Sequence, residues 1–409
     1  MPTISATRST ESTLDILKAK VEDLKLSGLY RHYIPCSYLA AEQGHALHAG
    51  RKIQVWCTND YLGMSQHPDV IQAQIDSAEL HGVGNGGSRN IAGTSEAHVQ
   101  LEAELATWHG KERALVFTSG YVANFETLTT LASGIPDLVI FSDSLNHRSL
   151  IEGIRRSGSR KHIFPHNDLA ALERALGEYE PGHPKLIVFE SVYSMDGDTA
   201  PVTAICDLAE KYNALTFIDE THAIGPNGPT GAGICEEVGE HRATFIQGVF
   251  GKAVGTTGGY VAGPDSALDY VRSHAPGFIF TTTIPRAVLD GTLKSLEVIR
   301  RDESLRRDLR ANVTYLKKAL SAAGIEFLDA ESHLVPVLVP GSDRVKKVSK
   351  RLLDGHGIYV QPVNFPSVPK GSERFRITVA PYRTHEQIDA FVGALRHCLS
   401  IEDETTTTG

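Results

Sequence analysis

Apolar and polar positions along the chain follow two rhythms. Residues 13–26 place Leu14, Leu17, Val21 and Leu24 at helical spacing, with Ile16 and Leu26 widening the stripe. Ser27-Gly28 ends that helix. Further on, short apolar runs alternate with amphipathic segments. The runs 55–57, 114–117, 138–141, 185–189, 214–218 and 244–250 read as buried strands, and 98–109, 121–131 and 201–212 as helices. Such alternation from about 110 to 260 predicts a mostly parallel sheet with right-handed crossovers. Beyond Pro285 come helices over 287–301 and 305–323, then a smaller α/β unit. Its strands are expected at 334–339, 359–361 and 375–378, and its helices at 345–356 and 385–399. The expected division is an N-terminal segment 1–55, a large α/β domain 56–290 and a small C-terminal domain 291–409. Residues 1–12 and 405–409 are polar and expected to be mobile.

Composition narrows the function classes. The 409 residues are 41% apolar and 22% charged, enough for a large core. A net charge of -9 argues against a nucleic-acid partner. No apolar run reaches the roughly 18 residues of a membrane span, and no apolar signal core opens the chain. A cytoplasmic protein with no membrane association is the expectation. The cysteines (Cys36, Cys57, Cys206, Cys235, Cys398) are scattered and odd in number, which suits reduced thiols and offers no metal-ligand spacing.

Candidate chemistry collects at the carboxyl ends of the predicted strands. One strand ends in Asp219 with His222 just after it; the next leads to Gly251-Lys252. A lysine there can hold an aldehyde cofactor as an imine. Pyridoxal phosphate needs an acid that keeps its ring nitrogen protonated, a role for Asp219, and His222 can donate to the ring hydroxyl. An isolated strand-end Asp or Lys ordinarily faces solvent, so the set needs support elsewhere. The strand, Ser119-Gly120 turn and following helix give some, because helix N-termini favour anions. Five glycines between 81 and 94 demand positive φ or a close backbone approach. His147 follows another strand end.

Six stretches then resemble one family, the α-oxoamine synthases. They are Asn59-Asp60-Tyr61-Leu62-Gly63, the loop 84–94, Leu145-Asn146-His147, residues 190–197, Asp219-Glu220-Thr221-His222 and Gly251-Lys252-Ala253. The resemblance covers about residues 29–399. It implies a fold-type I, aspartate aminotransferase-like α/β architecture and pyridoxal phosphate as cofactor. His166-Asn167-Asp168-Leu169 and the stretches 275–280, 357–362 and 369–376 resemble members that join glycine to succinyl-CoA. Those members lose CoA and CO2 and give 5-aminolevulinate for tetrapyrrole supply.

The resemblance also implies roles. Lys252 holds the cofactor and serves as base; Asp219 pairs with the pyridinium nitrogen, His222 with the phenolic oxygen, and His147 stacks on the ring. Ser119, Gly120, Tyr121 and Ser194 join the cofactor set. Thr281 and Thr282 reach the phosphate of a neighbouring subunit, implying a homodimer with shared sites. Arg376 grips the substrate carboxylate. Arg31, Ser88 and Ser367 take the succinyl tail, with Asn59, Asn90, Ser142 and Ile151 lining the substrate site.

Several positions depart from the family pattern. Ser88 and Ser367 stand where Thr is common, Val249 where Thr or Ser is common, and Arg148 where a small residue is usual; the loop 225–230 also differs. Three other readings therefore stand beside the first: a variant that closes the product to 2-amino-3-hydroxycyclopent-2-enone, a sister enzyme using another acyl-CoA, and a non-catalytic protein of the same fold. Arg31 favours a dicarboxylic acyl group over the second, and retention of the whole polar set argues against the third.

Overall fold

The computed structural model describes residues 10–407, with side-chain environments for 13–402. The expectation of mobility over 1–12 therefore falls mostly outside the described residues. The tail expected at 405–409 is corrected over 405–407, which continue the last helix, His385–Thr407; residues 408–409 lie outside the described residues. Helix Thr10–Leu26 forms as its spacing predicts.

The centre is a seven-stranded sheet. Its spatial order is Arg113–Phe117, Gly259–Gly263, Phe245–Val249, Leu215–Asp219, Lys185–Glu190, Val139–Asp143, Arg160–Phe164. Gly259–Gly263 is antiparallel to both neighbours, and the remaining pairings are parallel. Side chains alternate across this sheet, as the pleat requires. Leu115, Ile140, Val188 and Phe217 face helix Gly120–Gly134 and its neighbours, while Val116, Phe141, Phe189 and Ile218 face the other layer. Burying large side chains such as Phe141, Phe189 and Phe217 contributes about 1.5–3 kcal/mol each.

Two strands of this central sheet went unread because their patterns are atypical. Gly259–Gly263 is rich in glycine, and it is tolerated because Gly259 lies against the Gly120 backbone, where a Cβ would come within 2.5 Å. Arg160–Phe164 is a polar sheet edge. The strand expected at 55–57 lies earlier, at Arg51–Val55. The apolar run marks where the chain leaves that sheet: Trp56 turns inward and stacks on Phe391 at 4.3 Å.

The chain's two ends meet. Arg51–Val55 pairs antiparallel with His45–His48 and parallel with Ile358–Tyr359. A second small sheet joins Leu334–Leu338, Arg374–Thr378 and Pro362–Val363. Thr378 then ties the N-terminal stretch to this sheet, donating to the carbonyls of Trp56 (3.0 Å) and Thr58 (2.7 Å).

Candidate active site

Register places the chemistry. Glu190 pairs with Asp219 and Asp219 with Gln247, so strands ending in carboxylates finish side by side. Asp219 is 4% exposed. Its Oδ2 accepts from Asn124 Nδ2 at 2.8 Å and its Oδ1 from the Thr221 N–H at 2.9 Å. An anion held this way keeps one orientation toward the sheet edge.

Lys252 stands in a loop that closes on itself, with Gly255 N–H donating to the Lys252 carbonyl and Thr256 N–H to that of Phe250. Burial lowers its ammonium to about 8; Arg376 adds to the fall, and Asp219 and Glu190 oppose it. A lysine so tuned is a nucleophile and base near neutrality.

His222 is buried, and burial with nearby Lys252 and Arg376 holds it well below the usual histidine range. Its neutral ring carries one N–H, and the Tyr61 hydroxyl, 2.7 Å from Nδ1, helps fix which nitrogen bears it. His147 caps helix Arg148–Ser157, its Nδ1 accepting from the Ser149 N–H at 3.3 Å and contacting Ser149 Oγ at 2.8 Å. The surrounding protein partly desolvates this histidine and lowers it too, with Lys252 adding to the fall, although the residue itself stays exposed. Nδ1 is thereby occupied, leaving Nε2 as the N–H.

Arg376 lies on strand Arg374–Thr378. It donates to the Ser194 carbonyl at 3.1 Å and to Asn59 Oδ1. Arg376, Asn59 and Ser194 are thus brought together from three distant stretches. At the opposite side of the sheet end, Ser119 caps helix Gly120–Gly134 by accepting the Val122 N–H at 3.2 Å. A Cβ on Gly120 would meet Val249 Cγ2 and Gln247 Nε2 at 3.1 Å, so the helix start is pressed close to the Lys252 strand. Val249 presents its Cγ2 methyl to this helix start. Tyr121, nearly half exposed, opens outward.

The remaining residues divide. Arg31 and Ser367 both line a cavity of about 720 Å³ between residues 29–34, helix Ser342–His356 and the stretch 359–367. Ser88 and Thr282 are bridged to each other, next to Thr283 N–H donating to Gly87. Thr281 and exposed Asn90 stand with them on this stretch of surface. Ser142 is buried and accepts from Asn146 Nδ2 at 2.9 Å, bracing the turn before His147. Ile151 lies half-buried on the helix that follows. The glycines of 81–94 serve the loop itself: a Cβ on Gly87 would meet the Ile91 carbonyl at 2.0 Å, and one on Gly93 the Gly87 carbonyl at 2.4 Å.

Sequence reasoning missed Asn124, Ser149, Tyr61 and Glu190. Asn124 joins Asp219 to Ser149, and Ser149 joins His147. Glu190 is buried beside them, and burial with the Asp219 charge raises its carboxyl well above the usual range. Its strand-end position and its place at the head of the family-like stretch 190–197 were the signals that could have flagged it.

A family model described as aminotransferase class I and II matches residues 51–395. The 5-aminolevulinate synthase 2 of Cereibacter sphaeroides is 47% identical over 381 residues, 92% of this chain and 94% of that one. The 5-aminolevulinate synthase of Paracoccus denitrificans is 50% identical over 84% of this chain and 85% of its own. This chain belongs to the 5-aminolevulinate synthase family. A solved structure of SPT with PLP is 31% identical with a TM-score of 0.88, covering 96% of this chain and 98% of that chain. The serine palmitoyltransferase of Sphingomonas wittichii is 29% identical, also at 0.88, covering 95% and 98%. These likenesses establish the fold-type I architecture.

Pyridoxal phosphate is the cofactor of the 5-aminolevulinate synthase family, and the residues here fit it. A desolvated lysine, an oriented buried carboxylate, two neutral histidines and a capped helix start converge at the ends of the central strands. Buried Asn124 Oδ1 and Glu190 Oε1 have no protein partner, a polar remainder that a polar ligand can use. Among the described residues no cluster suits a metal, and no helix is long and apolar enough to cross a membrane.

Tyr61→Phe tests the histidine's support. Losing the hydroxyl removes a hydrogen bond worth about 1 kcal/mol. The expected result is roughly a fivefold rise in the dissociation constant for pyridoxal phosphate, read by absorbance titration.

Proposed function

We propose that the chain condenses glycine with succinyl-CoA, losing CoA and CO2, to give 5-aminolevulinate. The carrying observation is the convergence of Lys252, Asp219, His222 and Arg376 at the carboxyl end of the central strands in a member of the 5-aminolevulinate synthase family. Pyridoxal phosphate, when bound, supplies an acceptor for the electrons released at the glycine α-carbon and later by the departing carboxylate. Lys252, Asp219, His222, His147 and the Ser119-Gly120-Tyr121 turn would hold it.

The chain's own residues do the rest. Arg376 binds the glycine carboxylate through its planar fork, exchanging Asn59 and the Ser194 carbonyl for the substrate. Lys252 removes the proton at glycine Cα, its lowered basicity leaving a usable fraction of free amine near neutral pH. Asp219 keeps negative charge fixed where a protonated ring nitrogen needs it. His222 would supply a hydrogen-bond donor and His147 an imidazole to the ring of the bound cofactor. Arg31 and Ser367, sharing one cavity, suit the terminal carboxylate of the succinyl group. The chain works as a homodimer, with Thr281 and Thr282 directed to the partner's cofactor; the exposure of Thr282 and of Phe280 supports a covered surface there.

Purified protein incubated with pyridoxal phosphate, glycine and succinyl-CoA should yield linear 5-aminolevulinate by mass spectrometry. A product lighter by one water would assign the cyclising variant. Turnover only with a different acyl-CoA would overturn the substrate assignment. Arg31→Ala removes a charged hydrogen-bond donor worth about 1.5–3 kcal/mol. KM for succinyl-CoA should rise roughly 10- to 100-fold, while slow turnover with acetyl-CoA changes little. Equal losses with both would remove Arg31 from the acyl pocket.

A further inference from the structure

Outside the groups used above, the strongest polar cluster surrounds His166. This residue follows the edge strand Arg160–Phe164 and is only partly exposed. Its Nδ1 lies 3.0 Å from Asp143 Oδ1 and its Nε2 lies 2.6 Å from Asp198 Oδ2. Both of these partners are carboxylate oxygens, which accept only; Asn167 Nδ2 also lies 3.2 Å from Nε2, but it directs its protons to Asp198 Oδ2 at 3.1 Å and the Thr199 carbonyl at 3.3 Å. Satisfying both requires both ring nitrogens to carry protons. The ring also meets Tyr193 edge-on at 4.3 Å.

The two carboxylates belong to different parts of the site. Asp143 ends a sheet strand, and it builds the turn that leads to His147. Its Oδ1 accepts from Leu145 N–H at 2.8 Å and its Oδ2 from Asn167 N–H at 2.9 Å, while the Asn146 N–H donates to its carbonyl. Asp198 closes the loop 191–199. Its carbonyl accepts the Tyr193 N–H at 3.0 Å, and Asn167 Nδ2 donates to its carboxylate at 3.1 Å. That same loop carries the Ser194 carbonyl that holds Arg376, and the Met195 carbonyl that holds Arg374.

We propose that His166 is a positioning residue for glycine binding: as an imidazolium between Asp143 and Asp198, it locks the His147 turn to the loop that sets Arg376. The proposal rests on the glycine-condensing reading above. Burial opposes the charge, and the hydrogen bonds to Asp143 and Asp198 outweigh it, raising His166 to about 10. Asp143, Asp198 and the Tyr193 phenol are the titratable groups facing the ring. Bidentate tethering of this kind fixes geometry without touching substrate.

The test uses the holoenzyme loaded with pyridoxal phosphate. Glycine binding is followed by the cofactor's absorbance. His166→Gln keeps a donor to one carboxylate and loses the other. The dissociation constant for glycine should rise about tenfold, the loss of roughly one charged hydrogen bond. The constants for pyridoxal phosphate and the KM for succinyl-CoA should stay within about twofold of the wild type.

A pH series adds a second readout. His166 is raised in the folded state, so its stabilisation is complete below its unfolded value near 6.5 and is lost as pH rises through about 10. The Tm gap between wild type and His166→Gln should shrink steadily across that window. If His166→Gln does not fold, Asp198→Ala cuts only the loop side of the link and should give the same selective loss of glycine affinity. Unchanged glycine affinity in either folded variant, or equal losses of glycine and cofactor affinity, overturns the proposal. A wild type whose absorbance does not respond to glycine overturns the functional reading as well, and so separates the two failures.

Discussion

Lys252→Ala should leave a folded protein that binds pyridoxal phosphate reversibly and turns over glycine and succinyl-CoA at least about 10³-fold more slowly. A positioned acid–base group alone is worth roughly 10²- to 10⁴-fold, and this lysine also anchors the cofactor. Its loop closes through backbone hydrogen bonds that do not use the side chain, so the substitution should not unfold the site. Two measurements check the account beside kcat. Borohydride treatment should fix the cofactor covalently on the wild type, at Lys252, and not on the variant. In the protein freed of cofactor, the rate of modification of Lys252 by an amine-selective reagent should reach half its maximum near pH 8, where burial places its ammonium. A midpoint near the ordinary lysine value of about 10.4 would contradict the desolvated site.

Asp219→Asn carries the second large effect. The carboxylate is buried and oriented by Asn124 and by the Thr221 N–H. An amide keeps the shape and removes the charge that favours a protonated ring nitrogen. Removing one preorganised electrostatic partner ordinarily costs about 10²- to 10³-fold in kcat. The same loss should appear with any amino acid the enzyme accepts, since the partner acts on the cofactor. Lys252 also loses the nearby anion that partly offsets its desolvation, so its ammonium should titrate below about 8 in the variant. An Asp219→Asn protein with near wild-type kcat would remove Asp219 from its assigned place.

The residues that could be read from strand patterning, without the family resemblance, share one property: they stand at or just beyond the carboxyl ends of parallel strands. Asp219, His147 and Lys252 follow apolar runs whose length and composition announce strands, and strand ends are where such sheets place chemistry. Residues that hold them in position do not carry this mark. Asn124 is 95 residues from Asp219 and lies mid-helix; Tyr61 is 161 residues from His222. Single polar residues in such places look like any other buried hydrogen-bonder until the chain is folded. The Gly259–Gly263 strand stayed hidden because close packing against the Gly120 backbone selects glycine, which erases the apolar pattern. The Arg51–Val55 strand was displaced in the reading because its outward positions are charged, while the apolar Trp56 beside it belongs to the turn into the core. The meeting of the chain's two ends has no local signature at all; it rests on parallel pairing between strands some three hundred residues apart.

The central claim is that glycine keeps its α-carbon and loses its carboxyl group when it joins the succinyl unit. The direct measurement follows carbon-13 from glycine labelled at either position through one incubation with succinyl-CoA. Carboxyl label should appear wholly as CO2, and only when succinyl-CoA is present, while α-carbon label should appear in the aminomethyl carbon of 5-aminolevulinate. Carboxyl label retained in the product, or CO2 released without succinyl-CoA, would contradict the assignment.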